Sequence, residues 1–151
     1  MIFAGVFERY PNFPFVVAHT GAAFFDLIER LDNGYRNYAD CRQHISRLPS
    51  EFAKAFWYDT CSFYPPFINM VRGVVGTERI MFGTDTTPRA NAYRIYYRFL
   101  ETEDEYWDSA EGHHRQGFWM IYGVFLPSEV LEKIYRSNAE KILFGLASNR
   151  S

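Results

Sequence analysis

The chain has 151 residues, 48% of them hydrophobic and 23% charged, with a formal net charge of −2. That is the length of one domain, too apolar for a disordered chain and without the surplus of Lys and Arg that binding to nucleic acid requires. No apolar run reaches the roughly 18 residues of a membrane-spanning helix, so no membrane partner is expected.

Residues 1–9 lack the basic flank, apolar stretch and small-residue cleavage site of a secretory signal. Two cysteines, Cys41 and Cys61, are too few for a disulfide framework and fit reduced thiols in a cytoplasmic setting. The aromatic content stands out: 15 Phe, 11 Tyr and 3 Trp suit either a large core or an aromatic-lined pocket, and composition does not choose between them.

Residues 4–10 read as the end of a helix stopped by Pro11. Phe15-Val16-Val17-Ala18 is a short, continuously apolar run between Pro14 and Gly21, which predicts a strand buried on both faces. Phe24, Phe25, Leu27, Ile28 and Leu31 then recur at helical spacing. The pattern repeats. Phe56-Trp57-Tyr58 is a second strand, followed by a helix over residues 67–75 that Gly76 caps. Ile80-Met81-Phe82 is a third strand running into Gly83-Thr84-Asp85, with helical pattern resuming at 91–99.

Residues 101–123 are too polar and irregular for a core element and read as an excursion, with Glu101 to Glu105 a solvated acidic run. A last helical stretch covers 128–143, starting at Pro127-Ser128 and ended by Gly145. Strands alternating with helices mean parallel βαβ units in one α/β domain over 1–151. With three strands, the candidates are a small open sheet or part of a barrel, because a closed (β/α)8 barrel takes about 250 residues.

Reactive groups in parallel α/β folds gather where strands end. That rule nominates His19, Asp59 and Asp85. His19, ahead of Gly21, offers a ring nitrogen to a metal or a reacting group, or simply hydrogen-bonds at a turn. Asp85 could ligate a divalent cation or take a proton; capping the next helix is the simpler reading of Asp85-Thr86-Thr87. Asp59-Thr60 reads first as a turn closed by the carboxylate. His113 and His114 are adjacent, so they do not aim at one metal and read as solvated. Cys41 and Cys61 read as buried thiols. Tyr93, Tyr96, Tyr97 and Phe99 form a helix face suited to packing, with Arg94 and Arg98 placed to meet a carboxylate.

Residues 5–11 and 15–21 (GVFERYP and FVVAHTG) closely resemble segments of the amidohydrolase-related proteins. This is the branch of the amidohydrolase superfamily with the aminocarboxymuconate-semialdehyde decarboxylase-like enzymes. The resemblance continues through residues 56–60 (FWYDT), 76–85 (GTERIMFGTD) and 134–146 (IYRSNAEKILFGL), in the family's order. It implies the C-terminal part, about three βα units, of a metal-dependent (β/α)8 TIM barrel.

It implies further that His19 and Asp85 are catalytic, His19 orienting or activating a metal-bound water and Asp85 ligating the metal and accepting a proton. The metal is a divalent ion, usually zinc in this family, which lowers the pKa of bound water from about 15.7 to about 7. The implied reaction is hydrolysis or non-oxidative decarboxylation of a small molecule such as a carboxylic acid or amide. Asp59 matches a position to which the resemblance gives no catalytic role.

Three features depart from the family pattern. The His-x-His ligand pair and the further ligand His have no counterpart in residues 1–151, and Gly21-Ala22-Ala23 stands where relatives often carry a second glycine. Metal occupancy in this chain alone is therefore expected to be weak, since a catalytic zinc site takes about three protein ligands. Open sheet edges would favour a homo-oligomer or a complementing barrel half. The competing expectations are a catalytically silent structural or interaction module, and an aromatic-ligand domain built around residues 93–107.

Overall fold

The computed structural model describes residues 1–85, 90–108 and 120–145. His113, His114, Trp119 and the Thr86-Thr87 cap residues lie outside these. The order of elements follows the sequence pattern. Helix α1 (Val6–Arg9) leads to strand β1 (Val16–Val17), helix α2 (Ala22–Asn37), strand β2 (Trp57–Tyr58) and helix α3 (Pro65–Val75). Helix α4 (Ala90–Glu101) follows. Helix α5 (Ser128–Glu132) then passes through a π-helical turn (Lys133–Ser137) into α6 (Asn138–Phe144). Single 3-10 segments at His19–Gly21, Ala39–Arg42, Pro49–Ala55 and Thr77–Arg79 make the corners.

The sheet is parallel and small. Val16 pairs with Trp57 and Val17 with Tyr58, and beyond β2 a parallel bridge joins Tyr58 to Ile80. The third strand expected over 80–82 is therefore reduced to one bridge. The reason is local: the Met81 N–H donates to Tyr58 O at 2.8 Å, but the next donor on that side, the Gly83 N–H, goes to the Thr60 hydroxyl at 3.2 Å. A backbone donor committed to a side chain does not extend a ladder. A second correction concerns β1. Val16 is 45% exposed rather than buried on both faces, because β1 is the edge of the sheet and has β2 on one side only.

The core lies where the helices cover β2 and its neighbours. Phe52, Tyr58, Ile68, Val71, Phe99, Leu100 and Ile134 are fully buried, and the Tyr58 hydroxyl donates to Ala53 O at 2.9 Å. Phe7, Phe15 and Phe56 close one end of this core as an aromatic cluster with centroids 4.6–5.5 Å apart. Asn138, buried at the start of α6, donates from Nδ2 to Thr77 O (2.8 Å) and Ile80 O (2.7 Å). The last helix is thus tied to the segment that precedes Asp85.

Two ends of the expected polar excursion turn out to be core. Trp107 and Ile121 are buried and exchange backbone hydrogen bonds of 3.0 and 2.8 Å as an antiparallel bridge. Apolar residues flanking a polar segment close on each other, which composition averaged over 101–123 conceals. The acidic run is partnered rather than merely solvated: Glu101 accepts from the Tyr135 hydroxyl at 2.9 Å, and Asp104 from Arg98 at 2.6 Å. Arg98 also lies over the Trp107 ring at 4.4 Å. Gly76 and Gly145 end their helices with φ of 84° and 64°, as expected. Among the described residues no helix is long and apolar enough to cross a membrane.

Candidate active site

Each nominated residue sits just beyond its strand. His19 follows β1, Asp59 follows β2 and Asp85 follows the Ile80 bridge, so a parallel sheet carries all three to one rim. His19 and Asp85 come into direct contact. The imidazole Nε2 lies 3.0 Å from Asp85 Oδ2, across 66 residues of sequence. A carboxylate can only accept, so Nε2 carries the proton in this pair. Both side chains face solvent, at 57% and 71% exposure.

The contact raises the imidazole pKa above its ordinary value of 6.5, chiefly through the hydrogen bond that Nε2 donates to Asp85, with burial opposing and the charges of Asp85 and Asp59 adding. Asp85 itself has φ of 46°, and its carboxylate accepts from His19; the cap reading of Asp85-Thr86-Thr87 turns on residues outside the described ones.

The turn that carries His19 is strained. His19, Thr20 and Ala22 all have positive φ, at 57°, 55° and 34°, and with Asp85 they make four of the six such non-glycine residues among the described ones. Backbone of this kind costs about 1–3 kcal/mol per residue, persists only where the surroundings impose it, and gathers at functional sites. Gly21, at φ 88°, packs its Cα against the rings of Phe25 and Tyr58, leaving no room for a side chain.

Asp59 makes the expected turn and two distant contacts besides. Its Oδ1 accepts the Cys61 N–H at 3.0 Å, the expected local turn, but also the Thr20 N–H at 2.7 Å. Its Oδ2 accepts the His19 N–H at 3.0 Å. Thr60 adds a second tie: its buried hydroxyl donates to Gly83 O (3.1 Å) and accepts the Gly83 N–H (3.2 Å). Only the bond to Cys61, two residues away, left a signal in the sequence.

Around this rim, Tyr96 donates to Thr84 O at 3.3 Å and packs on Phe63 at 4.6 Å between centroids. Burial, followed by the charge of Asp59, pushes the Cys61 thiol up to about 12. Tyr93 and Tyr97 pack around Phe82 and Tyr135 as a packing face. Cys41 and Cys61 are both free thiols, half-buried rather than fully buried.

The donor set fits a divalent cation in part. An imidazole and a carboxylate side by side are the ligand types such ions take. Among the described residues, however, no group of three His, Cys, Asp or Glu side chains is placed to hold one.

Comparison with known proteins bears on this arrangement. The family model described as Amidohydrolase matches residues 1–145. A 2-amino-3-carboxymuconate-6-semialdehyde decarboxylase of Dictyostelium discoideum is 30% identical over 86 residues, 56% of this chain and 24% of that relative.

A solved 5-carboxyvanillate decarboxylase from Novosphingobium aromaticivorans, with bound manganese, superposes on 93% of this chain and 36% of its own (TM-score 0.61, 18% identity). A dihydroxybenzoic acid decarboxylase from Polaromonas, also with manganese, does so over 93% and 36% (TM-score 0.62, 16% identity). At those identities the superpositions establish the shared fold. The chain spans about a quarter of the curated relative and little more than a third of these solved structures. Since the family match begins ahead of β1, passes through both strand ends and reaches Gly145, the chain belongs to the Amidohydrolase family of enzymes.

Proposed function

We propose that residues 1–151 form one domain, the C-terminal portion of a (β/α)8 barrel, and that the barrel catalyses metal-dependent non-oxidative decarboxylation of a small carboxylic acid. The observation that carries this reading is the His19–Asp85 contact at the strand ends, inside a family-matched segment. The open edge at β1, with Val16 exposed, supports a barrel completed by further strands. The named relative and the two manganese-containing structures favour decarboxylation over hydrolysis as the reaction class.

In this reading Asp85 is a metal ligand, and His19 is the acid–base group beside it. A divalent ion, manganese or zinc, supplies Lewis acidity to polarise the substrate and to offset developing negative charge. Asp85 orients the His19 ring through Nε2, keeping a proton at that atom. That proton is the one required where the departing carboxylate leaves its electron pair on carbon. The raised imidazole pKa keeps His19 protonated to higher pH than an isolated histidine.

The test is carbon dioxide release from a panel of aromatic and unsaturated carboxylic acids, with manganese or zinc present or chelated. Metal-dependent release that D85A abolishes is the expected result; equal release by D85A would remove Asp85 from the site. A second reading, a catalytically silent module, draws on the absence of a three-ligand group among the described residues. Equilibrium dialysis against zinc separates the two, since one micromolar site lost in D85A counts against silence.

A further inference from the structure

We propose that Asp59 is the positioning residue of this site: from the end of β2 its carboxylate holds the His19–Gly21 turn in left-handed backbone and thereby sets the imidazole against Asp85. The catalytic value of that positioning rests on the reading above; the positioning itself does not.

Three backbone amides converge on this one carboxylate, those of His19, Thr20 and Cys61, at 3.0, 2.7 and 3.0 Å. Two of them belong to residues with positive φ, a conformation uncommon outside glycine and an outlier for a β-branched residue such as Thr20. Neither is a local contact, since 40 and 39 residues separate them from Asp59. The carboxylate therefore supplies the external constraint that the strained turn requires.

Asp59 also meets the other side of the site. A Cβ built on Gly83 would lie 2.8 Å from Asp59 Cβ, so the segment leading to Asp85 packs its bare backbone directly on this side chain. Thr60 fixes the same glycine through both its N–H and its carbonyl. One dipeptide, Asp59-Thr60, thus sets the backbone of His19 and, two residues ahead of it, the backbone of Asp85. The Asp59 carboxylate touches neither reacting group directly and acts through the main chain.

The Asp59→Asn variant separates positioning from general support. An asparagine oxygen can keep the Thr20 and Cys61 amides, but its NH2 then faces the His19 N–H, donor against donor. His19 should be released selectively. The readout is NMR of the full chain without metal or substrate. In the unmodified chain, nuclear Overhauser contacts should join the His19 ring to the Asp85 methylene, and the His19 and Thr20 amides should exchange slowly.

D59N should lose the ring contacts and speed His19 amide exchange at least about tenfold, with Thr20 and Cys61 still protected. Ring contacts that survive D59N, or protection lost evenly along the chain, would overturn the proposal. If D59N does not fold, Gly83→Ala, which presses a methyl group on Asp59 while leaving its charge, should loosen the same ring contact. Rapid exchange of both amides in the unmodified chain is fatal in any case. Because neither metal nor turnover enters, a failed decarboxylation assay leaves this result standing, and the reverse also holds.

Discussion

The Nε2 of His19 and the Oδ2 of Asp85 meet at 3.0 Å although 66 residues separate them and both are largely exposed. An exposed ion pair contributes little to stability, because solvent screens it and two side chains must be ordered. The contact matters instead for the protonation state of the ring.

Asp85→Asn should lower the His19 pKa towards 6.5, read by NMR of the ring protons in metal-free protein. A folded pKa raised above the unfolded one gives stability present at low pH and lost as pH rises through the folded value. The unmodified chain should accordingly lose a small increment as pH climbs above 6.5, and D85N should not. Identical titrations for the two proteins would show that the pair does not form in solution.

Asn138 is a structural counterpart to Asp59, reaching from α6 to the carbonyls of Thr77 and Ile80. Asn138→Ala strands two carbonyls in a buried place, and should cost about 2–4 kcal/mol. Urea denaturation measures it. Asn138→Asp should fare no better, because a carboxylate cannot donate and would face two acceptors. A loss below about 0.5 kcal/mol would mean that water replaces the amide.

Cys61 should resist alkylation. With its thiol pushed up to about 12 by burial and by Asp59, the thiolate is scarce near neutral pH. Labelling with iodoacetamide at about pH 8 should run on the order of 100- to 1,000-fold slower than for a free cysteine. Mass spectrometry of the labelled peptides reads the rate, and denaturant should restore it. Labelling at the free-cysteine rate would contradict the packing around residues 59–63.

Acid should weaken the fold through Glu8 and Glu78. Hydrogen bonds from the Ser46 backbone and hydroxyl lower the Glu8 pKa, and the hydrogen bond from Lys133 lowers that of Glu78. A carboxylate lowered on folding stabilises above its unfolded pKa, here 4.5, and the contribution disappears as pH falls through the folded value. The urea midpoint should drop as pH falls below 4.5, and E8Q with E78Q should shrink that drop. Both groups are exposed, so the change is small. An unchanged drop in the double variant would assign acid sensitivity elsewhere.

Local patterns carried much of this protein in its sequence. Helical spacings placed α3, α4 and the last helices within about two residues, because each depends on neighbours three or four positions away, while α2 runs on to Asn37, past the last apolar position at Leu31. Gly76 and Gly145 marked helix ends through their own backbone freedom. Strand-end position nominated His19, Asp59 and Asp85 before any contact was known.

What only the tertiary structure decided involves partners distant in sequence. Val16 is exposed because β1 has a neighbour on one side only, and the third strand stops where the Gly83 N–H is taken by the hydroxyl of Thr60, 23 positions earlier. Asp59 reads as a local turn until two amides from 39 and 40 residues away arrive on its carboxylate. A side chain's chemistry is fixed by its type, but its role depends on which backbone donors the fold brings within hydrogen-bonding reach, and residue spacing does not encode that.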